Sequence, residues 1–126
     1  MSRLDDSGTG FDPVHNERDF GQLVKAAIDE LPDYVRKELE NVAILVSDDG
    51  ARQHLYGLYR GVHAQNRGRQ FSLPSPPDQI TIFRDTIVRD FGHDTALLRE
   101  QVRTTVRHEV GHHLGMDEET VRRLGL

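Results

Sequence analysis

The chain has 126 residues, which is enough for one small domain with a modest core. Its 16 Lys and Arg residues against 21 Asp and Glu residues give a formal net charge of -5, which argues against a nucleic-acid-binding protein. The sequence has no cysteine, so disulfides, thiolate catalysis and cysteine-bound metals are excluded. No stretch has the length of a membrane span or the pattern of a signal peptide, and we expect a cytoplasmic protein without a membrane partner.

The first third of the chain is predicted to be mainly helical. Residues 1–15 mix Ser, Gly, Asp and Pro without periodicity, which predicts a flexible leader before a single domain over residues 16–126. From about Glu17, apolar residues recur at helical spacing, and Pro32 is expected to end this helix. A second helix over residues 32–40 and a strand over residues 42–46 are predicted to follow.

The middle of the chain is less regular. Residues 50–60 hold four apolar side chains interrupted by Gly57, which is typical of a short strand or an irregular segment. The polar and proline-rich residues 61–78 are expected to form loops.

A strand is predicted over Gln79–Phe83 (QITIF), because the segment alternates and is rich in β-branched residues. If this strand lies at an exposed sheet edge, Thr81, Ile82 and Phe83 can pair with the main chain of an extended peptide substrate. A buried central strand is the alternative, and the pattern does not distinguish the two.

A long helix is predicted over residues 95–114, with Asp94 or Thr95 as its N-cap and Gly115 as a left-handed C-terminal residue. His113 lies within the aliphatic stripe of this helix, and we expect it to be a packed, hydrogen-bonded residue rather than a metal ligand. The stripe consists of Leu98, Val102, Val106, Val110 and Leu114.

The same helix contains the H-E-x-x-H pattern of zinc hydrolases, from His108 to His112. Two histidines four residues apart lie on one helical face with Cβ atoms roughly 5–6 Å apart, so both rings can bind one ion. Glu109 lies beside them and is the candidate general base for a metal-activated water. The aliphatic stripe lies on the opposite side of the helix. The alternative is a solvent-exposed pair of histidines with Glu109 bound to a neighbouring arginine.

A catalytic zinc ion needs a third protein ligand. Extending the pattern to H-E-x-x-H-x-x-G-x-x-acid places Gly115 at the glycine and Glu118 at the ligand position, and a positive φ at the glycine lets the chain reverse toward the metal. Asp117 is the alternative third ligand, although capping a short last helix is its best local role. The prediction is therefore one zinc ion bound by His108, His112 and Glu118.

These motifs resemble those of the small bacterial zincin-like metallopeptidases, described as minimal zincins. The resemblance covers about residues 20–126 and rests on HEVGHHLG (108–115) with the acids after it, on LPSPPDQITIFR and on LYGLYRGV (55–62). It implies an α+β fold in which the active-site helix packs against a short mixed sheet, with the N-terminal helices behind it. It also implies that an edge strand beside the cleft binds extended peptide. Glu118 departs from the related metzincin pattern, which ends in His or Asp.

The predicted function is zinc-dependent hydrolysis of peptide bonds in a peptide or protein substrate, with Glu109 as general base. One alternative is a zinc-dependent RNA-processing endonuclease, since His108, His112 and the Gly-x-Asp segment at 115–117 partly match that signature. The acidic charge opposes this alternative. The other alternative is a non-catalytic zincin-fold binding module. The presence of Glu109 argues against it, because a structural metal site needs no base.

Overall fold

The structure is a computed structural model that describes residues 10–61 and 77–123. It has the predicted α+β architecture: N-terminal helices, a three-stranded mixed sheet and a long helix near the C-terminus that packs on the sheet. The elements in chain order are α1 (Glu17–Asp29), α2 (Asp33–Glu38), β1 (Val42–Ser47), α3 (Gly50–Gln53), β2 (Gly57–Arg60), β3 (Asp78–Phe83), α4 (Arg84–Phe91), α5 (Thr95–His113) and α6 (Glu118–Arg123). Among these helices, none is both long and apolar enough to cross a lipid bilayer.

The predicted helices and strands are all present, within a few residues of their expected ends. Helix α3 was not predicted, since residues 50–60 were expected to form a short strand or an irregular segment. Helix α4 is a second addition that the sequence patterns did not predict, because only one short apolar run marks it. Its Asp85 carboxylate accepts hydrogen bonds of 2.9 Å from the backbone N–H groups of Gly50 and Ala51 at the start of α3. Helix α4 therefore holds the connection between β1 and β2 in place.

Part of the predicted leader contacts the domain. Pro13 is buried, and the backbone N–H of Asp12 donates a 2.8 Å hydrogen bond to the carboxylate of Asp19 on α1. The division at residue 15 stays a prediction, since residues 1–9 lie outside the described part of the chain. Most of the predicted loop, residues 62–76, also lies outside it.

The sheet has the strand order β1-β3-β2, with β1 parallel and β2 antiparallel to β3. One face of the sheet packs against the helices, and on it Ile80 and Ile82 are completely buried. Their register partners Ile44 and Val46 on β1 lie on the same face. The other face carries Leu45 and Leu58, both partly exposed. The alternation of the strands thus separates a core face from an outer face.

The prediction that Thr81, Ile82 and Phe83 form a substrate-binding edge strand is wrong. Strand β3 is the central strand, and Thr81 lies opposite Leu45 on one side and Leu58 on the other. Its main-chain groups are used by two neighbouring strands, so none is left to bind a peptide. In the described part of the sheet, the strands with a free edge are β1 and β2.

Helix α5 anchors the core. Its side chains Leu98, Val102, Val106 and Val110 are at most 1% exposed. They lie in one buried cluster with residues of α1 and β3. The predicted ends of the helix are confirmed: the Asp94 carboxylate caps it at the backbone N–H groups of residues 96 and 97, and Gly115 has a φ of +78°. The orientation of α5 is therefore fixed by both its caps and its buried side.

Candidate metal and catalytic site

The two histidines of the H-E-x-x-H segment converge. The Nε2 atoms of His108 and His112 are 3.0 Å apart, and their ring centroids are 4.6 Å apart. Two nitrogen ligands of a tetrahedral zinc ion, each at about 2.0–2.1 Å, are themselves about 3.3 Å apart. The pair therefore fits a single ion with a shift of a few tenths of an ångström. His112 is exposed and His108 is half-buried, so both rings are accessible to solvent.

Glu109 lies at the boundary between the histidine face and the buried face of α5. Each helical residue advances the direction of the side chain by about 100°, which turns Glu109 away from His108 toward the aliphatic stripe. Its side chain is buried, with 7% of the residue exposed. Burial raises the pKa of the Glu109 carboxyl, and His112 together with a hydrogen bond from the Tyr59 backbone N–H partly opposes that rise.

Strand β2 contacts α5 at its glycine. A Cβ atom at Gly57 would lie 2.6 Å from Cγ2 of Thr105 and 3.0 Å from Cγ of Glu109. No side chain fits in this space, so the glycine sets how closely the strand approaches the helix. The close approach places the β2 backbone beside the side chain of Glu109.

The residues proposed for the third ligand follow the left-handed Gly115. The Asp117 carboxylate accepts a 2.8 Å hydrogen bond from the backbone N–H of Thr120, which confirms its predicted role as a cap of α6. The side-chain and backbone hydrogen bonds of Thr120 lower the pKa of Asp117. Glu118 is the first residue of α6, and its side-chain position is not described. Among the side chains that the structure describes, no three His, Asp or Glu residues are arranged so that they could hold a metal ion.

His113 has the structural role that its position in the aliphatic stripe predicted. Its Nδ1 lies 3.1 Å from the carboxylate of Asp78, and its Nε2 lies 3.2 Å from the backbone oxygen of Glu38. The Tyr59 hydroxyl donates a 2.8 Å hydrogen bond to the same carboxylate, and burial, with this hydrogen bond, raises the pKa of Tyr59 to about 12. These contacts join the end of α5 to α2, β2 and β3.

A cleft of about 320 Å³ adjoins the H-E-x-x-H segment of α5. One wall consists of residues 54–57, and the other is the face of α5 with Gln101, Thr104, Thr105, His108 and Glu109. No sequence motif indicated that Gln101, Thr104 and Thr105 belong to the site. Helical spacing does indicate it, because Thr105, Thr104 and Gln101 lie three, four and seven positions before His108 on the same face.

An α+β fold with an H-E-x-x-H helix against a mixed sheet defines a protein of the zincin class. The sequence matches the zincin-like metallopeptidase family over residues 37–126, and the chain belongs to this family. The matched range begins in α2 and includes the whole sheet and the candidate site. A search of curated proteins found no match for the chain. Family membership implies zinc and a peptide or protein substrate, and it confirms the resemblance noted in the sequence.

We expect Gly57→Ala to lower the free energy of unfolding by about 1–3 kcal/mol, because the added methyl group overlaps Thr105. The measurement is urea unfolding. Gly21→Ala is the matched control: Gly21 lies within α1 with nothing within 4 Å of the added Cβ, and alanine there should stabilise the protein by about 0.5–1 kcal/mol. Adding Thr105→Ser to Gly57→Ala should restore part of the loss. Equal effects at the two glycines would contradict the contact.

We expect Glu109→Gln to raise the melting temperature of the metal-free protein at neutral pH. Because burial raises the pKa of Glu109 above its ordinary 4.5, ionising the folded protein is costlier than ionising the unfolded chain. This cost is present at neutral pH. It is lost as the pH falls through the pKa of Glu109 in the folded protein and then below 4.5, where Glu109 is protonated in both the folded and the unfolded chain. The gain should therefore disappear in acid. Glu40→Gln, at an exposed site, should change little at any pH. A lower melting temperature for Glu109→Gln at neutral pH would contradict this expectation.

Proposed function

We propose that the protein is a zinc-dependent peptidase that hydrolyses peptide bonds, with Glu109 as its general base. The observation that carries the proposal is the buried Glu109 carboxylate beside the converging Nε2 atoms of His108 and His112. Membership of the zincin-like metallopeptidase family supports the same reaction class. A cytoplasmic location is part of the proposal and rests on the cysteine-free composition.

The donor set suits zinc. His108 and His112 would hold the ion through their Nε2 atoms, and Glu118 is the proposed third ligand. Asp117 is less suited because one of its oxygen atoms already caps α6. A bound zinc ion supplies Lewis acidity, which polarises a carbonyl group and lowers the pKa of water.

Glu109 would move the protons. One carboxylate oxygen accepts a proton from the attacking water, and the same group then delivers it to the nitrogen of the leaving amine. Burial raises the pKa of this carboxyl, which brings it closer to the range in which a general base works at neutral pH.

Strand β2 is the proposed platform for the substrate, in place of β3. The Phe83 N–H donates to the Tyr56 oxygen across the β2–β3 pair, so by antiparallel alternation the main-chain groups of Gly57 and Tyr59 point away from β3. An extended peptide can pair with this outward edge, directly beside Glu109.

The two alternative functions receive less support. Family membership favours a peptidase over an RNA-processing endonuclease. A purely structural metal site needs no acidic base, whereas the protein buries Glu109 at a cost next to the histidines. This cost is easier to understand in an enzyme than in a binding module.

We expect Glu109→Gln to keep the zinc of the parent protein and to lower the rate of peptide cleavage by at least about 100-fold, because it removes the base but no ligand. His112→Ala should lose the zinc itself. Zinc per chain is measured by elemental analysis after dialysis, and cleavage is followed by mass spectrometry on a peptide library. Parent-like cleavage by Glu109→Gln would show that the assigned base is wrong.

The third ligand is tested by Glu118→Gln and Asp117→Asn. We expect Glu118→Gln to lower zinc affinity at least about tenfold, as measured by competition with a chromophoric chelator. Asp117→Asn should have little effect, because asparagine retains the capping oxygen. The reverse result would assign the metal to Asp117.

A further inference from the structure

Strand β1 leaves one edge of the sheet open. It lies on the side of β3 away from β2, and within the described part of the chain no further strand pairs with it. Its six residues, VAILVS, carry no charge and include no proline or glycine, and its register with β3 has no bulge. Natural sheets usually protect an exposed edge with charged residues, proline or a bulge. Strand β1 has none of these, so its edge is suited to pairing with another strand.

The main-chain groups of Ile44 and Val46 point toward this open side. The N–H of Val42 donates a 3.0 Å hydrogen bond to the oxygen of Leu39, so it is not directed at β3. Residues two positions apart in a strand direct their main-chain groups to the same side. Ile44 and Val46 therefore present donors and acceptors at the outer edge, whereas the main-chain groups of Leu45 face β3.

Apolar side chains lie along this edge on both faces of the sheet. On the outer face, Leu45 is 43% exposed. On the core face, Val42, Ile44 and Val46 pack against the core but are only partly buried. A strand added beside β1 would shield side chains on both faces from water, and this burial would stabilise the pairing.

A second copy of the chain can supply this strand in one preferred register. An antiparallel copy keeps both core faces on the same side only if residues of the same face are paired, so the two-fold axis passes through a residue of β1. With the axis at Leu45, Ile44 of each copy pairs with Val46 of the other, and both residues use their outward groups. An axis at Ile44 would instead need the N–H of Val42, which is already bonded to residue 39.

Charge favours the same register. The axis at Ile44 would bring Asp48 of one copy opposite Glu40 of the other, and the two carboxylates would repel each other. The axis at Leu45 brings Asp48 opposite an uncharged valine. Asp48 is also paired with Arg84 through hydrogen bonds of 2.9 and 3.0 Å. Self-pairing of β1 therefore places no like charges opposite each other, although the chain has a formal net charge of -5.

We propose that β1 is an interface between two copies of this protein, which form a dimer by antiparallel pairing of their β1 strands across a two-fold axis at Leu45. The strand order across the dimer is then β2-β3-β1-β1-β3-β2. The β2 strands lie at the two ends of this sheet, so the proposed substrate platform of each copy stays open. The dimer goes beyond the proposed peptidase function and does not depend on it.

The mass of the protein in solution tests the dimer. Sedimentation equilibrium of the wild-type protein should give twice the chain mass of 14.4 kDa. Leu45→Lys should raise the dissociation constant of the dimer at least about tenfold, because it places two like charges directly opposite each other. Leu58→Lys is the matched control, since Leu58 lies on the same face of the sheet and is 38% exposed, but belongs to β2. It should leave the dimer intact. A wild-type mass of one chain, or equal effects at the two leucines, would overturn the proposal.

A covalent cross-link tests the register without a charged substitution. The chain has no cysteine, so Leu45→Cys introduces a single thiol. In the proposed dimer the two thiols face each other in a non-hydrogen-bonded pair, where the Cβ atoms are close enough for a disulfide. Under mild oxidation, Leu45→Cys should form a covalent dimer at least about tenfold faster than Leu58→Cys, as followed by non-reducing gel electrophoresis. Cross-linking at equal rates would contradict the two-fold axis at Leu45.

Amide hydrogen exchange, measured by NMR, tests which main-chain groups the second copy covers. The N–H groups of Ile44 and Val46 are hydrogen-bonded only in the dimer, whereas those of Ala43 and Leu45 face β3 in dimer and monomer alike. In Leu45→Lys, exchange should therefore become at least about tenfold faster at Ile44 and Val46 than in the wild-type protein, with little change at Ala43. A wild-type dimer in which Ile44 and Val46 exchange as fast as in Leu45→Lys would associate through another surface, and this result would reject the proposal.

Discussion

The burial of one face of α5 is the constraint on which the site depends. Four aliphatic side chains of this helix are almost completely buried against α1 and the sheet, so the helix cannot rotate without exposing them. At about 100° per residue, this orientation turns His108 toward the cleft, leaves His112 exposed and places Glu109 at the boundary. The core therefore decides the direction of the side chains of the candidate site.

Contacts with β2 hold the helix on both sides of the H-E-x-x-H segment. At one end the strand approaches through Gly57, where a single methyl group would overlap Thr105. At the other end Tyr59 and His113 share the carboxylate of Asp78. The two contacts fix how β2 lies against the helix, so that Gly57 lies beside Glu109. Packing alone thereby brings the proposed substrate platform and the proposed general base together.

The protein buries Glu109 in a position where its charge is costly. Burial raises the pKa of this carboxyl, and the Tyr59 N–H and His112 offset only part of the effect. In the proposed role of general base, the same burial shifts the carboxyl toward proton transfer near neutral pH. Under that proposal, function and stability are in opposition at this residue. The burial of the apolar core stabilises the fold and compensates for this cost.

The sequence by itself determined the parts of the protein that depend on local spacing. The period of α5, its caps at Asp94 and Gly115, the pairing of His108 with His112 and the capping role of Asp117 all follow from residues a few positions apart. The family follows from the same motifs. Only the tertiary structure decided that β3 is central and β2 lies at the edge, because QITIF alternates in the same way in either place. It also brought residues 54–57 opposite Thr104 and Thr105, through strand pairing and helix packing that no local pattern encodes.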